Sequence, residues 1–510
     1  MVDTVENARV PAEPGPLDVV SLDIASPDRG WAESGPDAEG VDGWHAVAVL
    51  APDAAAVLHA LEEAGTRPVA LMDAVRCGAL DGRDAPAVLA AVAAEVGALA
   101  RSAGVPVVDH RLVLDAANEG AAGLTVLGVG VRQGARPDAP AVAPGCAAPA
   151  TGAARPDWID RVHADRAEDL PRAASGAELA EQVTAVLSAP TLADHAWYTE
   201  QFDHAIGGDT VVSRTGGAGV VRVDEGGPAV ALTLAGNPRA CLLNPYLGAQ
   251  LALTEAHRAV AATGARPVAA LGRLTVGPGA DPDVAWQVEE SRLGWADAAP
   301  ALGLDSSLAT VDHVDAPAGK IHPSPVAAVL GVLERPEERL TPAFHHPGDA
   351  VVLLGETSEE LSGSAWAEVV HRHLGGLPPR PGLDREQALA DVLTASAQRR
   401  LVTAACSLGA GGLAHALVTA ALRGRVGVAL TLPEGDPTVH LFSESAARAL
   451  VAVSAHHYDA LRALCADAGV PLTRLGEVLP DPVLEVVGQF SLDLDTVGAR
   501  RAARPQEAIR

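Results

Sequence analysis

The sequence predicts an α/β (α+β) protein of several domains, and three observations carry that prediction. Alanine-rich segments of helical periodicity alternate with short Val- and Leu-rich runs that read as strands. The pattern Gly-x-Arg-Pro-Val-Ala occurs at 65–70 and again at 264–269, each time between a helix and a strand, which points to duplication. The length of 510 residues leaves room for two to four cores.

The elements follow in order. Residues 1–44, rich in Pro, Gly and acids, read as a loose lead-in. The first unit, 45–131, reads as the strand HAVAVLA, a helix over 53–65, a strand over 67–75, a long helix over 85–104 and two further strands. Pro, Ala and Gly recur without period across 132–176, as in a linker. The second unit, 177–340, begins with the helix GAELAEQVTAVLSA and the strands TVVSR, GVVRVD and AVALTLA. A helix over 248–264, a strand over 266–274, a second long helix and two strands complete it. The third unit, 341–492, alternates strand and helix, and the basic end 493–510 reads as a solvated tail.

Composition narrows the function. Formal net charge is −28, which argues against nucleic acid and anionic membrane as partners. No stretch approaches 18 consecutive apolar residues and no basic-then-apolar leader opens the chain, so a cytoplasmic protein is expected. Five scattered cysteines without a CxxC pair predict reduced thiols, with neither a disulfide framework nor a zinc site. Lys320 is the sole lysine, so any step that needs one must use it.

Two glycine-bearing loops carry the candidate chemistry. In CSLGAGGL, Gly409, Gly411 and Gly412 precede a helix, and in GETSEELSGSAW a Ser362-Gly363-Ser364 turn does the same. Amides at a helix start cradle anions, so both loops are candidate anion or nucleotide sites, with Glu356, Glu359 and Glu360 as possible metal ligands at the second. A tight turn alone explains either loop as well. No residue from Val402 to Leu422 is a carboxylate, a lysine or an arginine. His371 and His373, two apart on a predicted helix, point to different faces, and no metal site is expected there. His195, Asp203 and His204 stand out as polar groups in an alanine-rich chain, with surface packing as their plainer explanation.

YTEQFDHAIGGDTVV (198–212), LLNPYLGAQLALTEAHRAVAATGARPVAA (242–270), HLGGLPP (373–379), LFSESAARALVAV (441–453) and the Gly411-Gly412-Leu413 turn resemble phosphoribosylformylglycinamidine synthase. This is the large purine-pathway synthetase subunit of the aminoimidazole ribonucleotide synthase superfamily. GTRPVALMDAVRCG (65–78) resembles the matching segment of that family's first half. The resemblance implies tandem halves whose N-terminal domains pair into a central barrel-like sheet, here with one C-terminal α/β domain. It also implies ATP in a cleft between units, and ammonia from a glutaminase partner converting an amide to an amidine.

Departures from the family pattern bear on activity. The first half is truncated, its Gly-Gly-Glu is Asp109-His110-Arg111, and its C-terminal domain is expected to be absent. In the second half the polar strand end is Leu271-Gly272-Arg273-Leu274-Thr275, Gly-Gly-Asn is Leu308-Ala309-Thr310, and His-Asp is Cys406-Ser407. Carboxylates that would hold Mg²⁺ are therefore missing. Two readings follow. In one, the chain keeps the fold, has lost the Mg-ATP site, and acts as a non-catalytic binding or scaffold protein without an assigned cofactor or metal. In the other, it is an ATP-dependent amidine-forming ligase with a remodelled site, using ATP and Mg²⁺. There His110 and His313 are the catalytic candidates, grouped with Asp109, Asp312 and Asp315. Self-association, or pairing with a related synthetase or glutaminase subunit, would supply missing parts.

Overall fold

The computed structural model of the chain describes residues 17–25, 44–134, 153–213, 217–315 and 321–509. Lys320 and Cys146 lie outside the described residues, as does the stretch 135–152. The first unit runs β1 (Asp18–Ala25), β2 (Trp44–Ala51), α1 (Ala54–Glu63), β3 (Arg67–Cys77), α2 (Ala85–Ala103), β4 (Val107–Leu114) and β5 (Gly123–Gln133). Asp53 starts α1 by accepting the amides of Ala55 and Ala56, and left-handed Gly104 stops α2. The strands form one sheet in the order β1-β2-β5-β3-β4. α2 is the one described helix long and apolar enough to cross a membrane. In this fold it lays Leu89, Val92, Val96 and Ala100 into the core beneath the sheet.

α3 (Ile159–Ala164), α4 (Gly176–Leu187) and α5 (Ala196–Thr199) lead to the second unit. That unit comprises β6 (Thr210–Val212), β7 (Gly219–Arg222), β8 (Ala229–Ala235), α6 (Pro238–Leu243), α7 (Pro245–Ala261), β9 (Arg266–Val276), α8 (Pro282–Ala301), β10 (Asp305–His313) and β11 (Ser324–Leu333). Its sheet order is β10-β9-β11-β8-β7-β6. The repeated sequence pattern is a repeated structure. Parallel β3 and β4 match parallel β9 and β10, and β5 matches β11. Even the register agrees, since Pro68 faces Gly130 and Pro267 faces Gly331.

The two sheets pack face to face. Val20, Leu22 and Ile24 of β1, Leu127 and Val129 of β5, Leu232 and Leu234 of β8 and Leu330 of β11 share one buried cluster. The β1 edge lies against β9 and β10, and the β4 edge against β7 and β8. The pair is thus barrel-like, although the hydrogen-bonded ladders of the described strands stay within each sheet.

The third unit holds β12 (Ala350–Leu354), α9 (Ala365–His371), α10 (Leu383–Gln398), β13 (Ala404–Ser407), α11 (Gly412–Gly424), β14 (Gly427–Leu430), α12 (Pro437–Phe442), β15 (Ala449–Val453), α13 (Tyr458–Asp467), β16 (Leu472–Leu479), β17 (Val483–Val486), β18 (Phe490–Asp493) and α14 (Leu494–Ile509). Its seven strands run β13-β15-β12-β16-β14-β17-β18, with helices burying apolar clusters on both faces.

Structure extends into both ends of the sequence. Residues 18–25 lie in the stretch read as a loose lead-in, yet they pair antiparallel with β2 and bury Val20, Leu22 and Ile24. The basic end read as a solvated tail is α14, whose Leu494 and Val497 are buried in the third core. Arginine and alanine there are good helix formers once that apolar contact fixes the helix.

Candidate functional site

A cleft of about 610 Å³ opens where the two related sheets meet the third unit. The far end of β4 and the turn after β8 form one wall, α5 and the segment before it a second, and α11 with α14 a third. Arg111 of β4 reaches across, donating from Nη2 to the Gly236 carbonyl at 3.0 Å and pairing with Glu255 of α7 at 3.2 Å. Arg239, at the start of α6, pairs with Glu368 of α9. Burial lowers the Arg239 pKa. These cations are spent largely on carboxylates of the chain itself.

Gly409 lies on the cleft wall. Just beyond it the turn tightens: Gly411 and Gly412 have φ of 80° and 59°, and a Cβ on Gly412 would sit 2.6 Å from the Ser443 carbonyl oxygen. Only glycine is comfortable there. The cradle these glycines shape holds a carboxylate of the chain. Glu444 Oε1 accepts the Gly411 amide and the Ala365 amide, each at 2.8 Å, and so ties the starts of α11 and α9 together. Burial raises the Glu444 pKa, against the pull of Arg239 and those two amides.

The Ser362-Gly363-Ser364 turn is filled in the same way. Glu168 accepts the Leu361 amide at 2.9 Å, the Ser362 amide at 3.1 Å and the Ser362 hydroxyl at 2.7 Å. Burial opposes its charge, but these bonds hold its pKa below the ordinary glutamate value. Ser364 caps α9 at the Ala367 amide, and Gly363 takes a φ of 74°. None of these three residues lines the cleft.

The proposed grouping of Asp109, His110, Asp312, His313 and Asp315 is not assembled. β4 and β10 stand at opposite edges of the paired sheets, so their ends point to different places. His110 is buried, its Nδ1 hydrogen-bonded to Asp73, which also accepts the Tyr198 hydroxyl at 2.7 Å. Its ring packs on Phe202 at 4.2 Å, and Nε2 is sealed from solvent without a partner. His313 is exposed, with Nδ1 3.1 Å from the Gly277 carbonyl, and Asp312 is engaged by Arg273 at 2.9 Å. His195 lines the cleft but spends Nε2 on the Pro190 carbonyl, and burial lowers its pKa.

Among the described residues, Mg²⁺, which the sequence resemblance implies, finds no matching donor set. Among the described residues no group of three or more His, Cys, Asp or Glu side chains is placed to hold a metal ion. Glu359 pairs with Arg172 and Glu356 with Arg385, so the carboxylates beside the second loop turn to arginines. Cys406, at the end of β13 before this loop, is a thiol whose pKa burial pushes up to about 11. It is neither a magnesium ligand nor an activated nucleophile.

Sequence reasoning missed Glu444, Glu168, Arg239 and Arg501, and named Arg111 only within a departure from the family pattern. Glu444 falls in LFSES, a segment singled out for its resemblance, whereas Arg501 falls in the end dismissed as a tail.

Comparison with known proteins agrees with this architecture. The N-terminal domain of AIR synthase related protein matches residues 15–130 and 215–333, and the C-terminal domain matches 346–489. The PurL subunit of phosphoribosylformylglycinamidine synthase from Cutibacterium acnes is 45% identical over 347 residues, 68% of this chain and 46% of that protein. The chain spans about half the length of the curated relatives it matches. Among solved structures, T. maritima PurL complexed with FGAR has a TM-score of 0.51 at 20% identity, covering 63% of this chain and 53% of that one. PurLQS from Thermotoga maritima has a TM-score of 0.50 at 20% identity, covering 67% and 54%. At such identity these structures speak for the fold alone. Two matches to the N-terminal domain, one to the C-terminal domain and a sheet pair that repeats strand for strand lead to one conclusion: the chain belongs to the AIR synthase related protein family.

Proposed function

We propose that this chain is a non-catalytic binding member of its family, related to the PurL proteins of purine biosynthesis and lacking their Mg-ATP ligation. The observation that carries this reading is the donor set of the cleft. Its loop before α11 contributes Ser407, Gly409 and Ala410 and no carboxylate, and no metal-holding cluster exists among the described residues. The neighbouring strand β9 carries Leu271-Gly272-Arg273-Leu274-Thr275 where the resemblance implies a more polar strand end. Without a bound metal ion, triphosphate charge there would be met by the cleft arginines alone.

The test is a ligation assay on the full chain with formylglycinamide ribonucleotide, ATP, Mg²⁺ and ammonia. ADP release is expected to stay at the no-enzyme level. A thermal-shift series with ATP, ADP and purine-pathway intermediates runs beside it, with and without Mg²⁺. A ligand held at 100 times its Kd adds about 3 kcal/mol of stability, and any such gain is expected to be indifferent to Mg²⁺. Substrate-dependent ADP release would overturn the reading.

A second reading, an active amidine-forming ligase with a remodelled site, is favoured by the cleft itself, which stays open and lined by ionisable groups. In that case Arg111→Ala would abolish turnover. PurLQS suggests the further proposal that this chain pairs with a related synthetase or glutaminase subunit, or with itself, which light scattering and co-purification would reveal.

A further inference from the structure

One corner of the cleft is built unlike the rest. Arg501 of α14 lines it with only 8% of its surface exposed. Nη2 donates to the Leu192 carbonyl at 3.0 Å, while Nε is buried without a partner. Arg111 and Arg239 meet carboxylates, but among the described residues no carboxylate lies within ion-pair distance of Arg501. Asp194 stands nearby and is exposed. A guanidinium out of water with no carboxylate in direct contact is costly to keep.

α11 completes the corner. His415, Thr419 and Arg423 are spaced four apart, so they form one stripe along that helix, and all three line the cleft. The Thr419 hydroxyl is also buried without a partner. His415 Nε2 lies 3.4 Å from Arg501 Nη2. Burial, with Arg501 and Arg423 beside it, depresses its pKa to about 3, so the ring is neutral and accepts from the arginine. Arg423 is exposed at the outer end of the stripe.

Resting on the reading of the cleft as a binding site, we propose that Arg501, Thr419 and Arg423 form a metal-free oxyanion site. It would hold the phosphate or carboxylate group of a small-molecule ligand. Arg501 Nε and the Thr419 hydroxyl supply donors that have no acceptor in the protein, and Arg423 supplies charge from the rim. A neutral His415 orients the guanidinium without adding a competing carboxylate.

Calorimetric titration of the full chain with inorganic phosphate, and separately with succinate, both in EDTA, tests this. Saturable binding of at least one is expected, and the preferred one identifies the group. Arg501→Met is expected to weaken it at least tenfold, Thr419→Val several-fold, and Arg501→Lys less than Arg501→Met. If Arg501→Met unfolds, Thr419→Val decides, since it removes the hydroxyl while keeping the shape. No saturable binding by the wild-type chain, or unchanged affinity in Thr419→Val and in a folded Arg501→Met, would overturn the proposal. Neither ATP nor Mg²⁺ enters the experiment, so ligase activity could overturn the earlier reading and leave this result standing.

Discussion

Asp18 is fully buried on an edge strand, 3.5 Å from the Arg273 guanidinium. Burial raises its pKa to about 6 from an ordinary value of 3.8, even against the pull of that arginine. The folded chain therefore holds this proton more tightly than the unfolded chain does. Between about pH 4 and 6 the folded state carries more protons, so this group's contribution to stability is present at low pH and lost as pH rises. The full difference is about 3 kcal/mol. Asp18→Asn removes the titrating group, so urea unfolding across that range is expected to show a flatter pH profile than wild type. An unchanged profile would contradict the assignment. Contacts of this kind are poorly legible in sequence. Glu168 reaches Ser362 across 194 positions and Glu444 reaches Gly411 across 33, and neither pairing leaves a periodic trace. His110 lines the cleft, yet nothing in VVDHRLVL announces that Asp73 holds its Nδ1 and Phe202 packs on its ring.

Elements were more legible than residues because their signals are local. Gly65 and Gly264, both left-handed, end helices before the matching Arg-Pro-Val-Ala strands, and the punctuation alone marks the duplication. The ends were misread for want of their partners. β1 is short and amphipathic until the second sheet covers it, and α14 is highly charged except at Leu494 and Val497. α11 shows how tightly an element can be fixed from outside. At its last residue, Gly424, a Cβ would sit 1.5 Å from the Phe344 carbonyl oxygen, and Phe344 in turn donates its amide to the Ala420 carbonyl at 3.1 Å. The obstacle is backbone and cannot swing aside. Gly424→Ala is therefore expected to cost roughly 3 kcal/mol or more in urea unfolding, at the upper end of overpacking effects. A loss below about 1 kcal/mol would mean that the segment before β12 yields more easily than its packing implies.

At the scale of the whole molecule, the duplicated sheets are not two independent domains, because neither buries its inner face alone. β1, β2, β3 and β5 meet β8, β9 and β11 in a single cluster, while α1 with α2 and α7 with α8 cover the outer faces separately. Stability of the first unit thus depends on side chains of the second, and the cleft at their joint inherits that dependence. Leu232 of β8 is fully buried in the shared layer. Leu232→Ala is expected to cost about 2–5 kcal/mol, the range for a leucine removed from a closed core. Its distribution is more telling than its size. Hydrogen exchange should quicken in β2 and β5 of the first sheet as well as in β8 and β11, since opening either face unseals the other. Faster exchange confined to the second sheet would mean that the first holds its own core, and that the cleft between them joins two separate bodies.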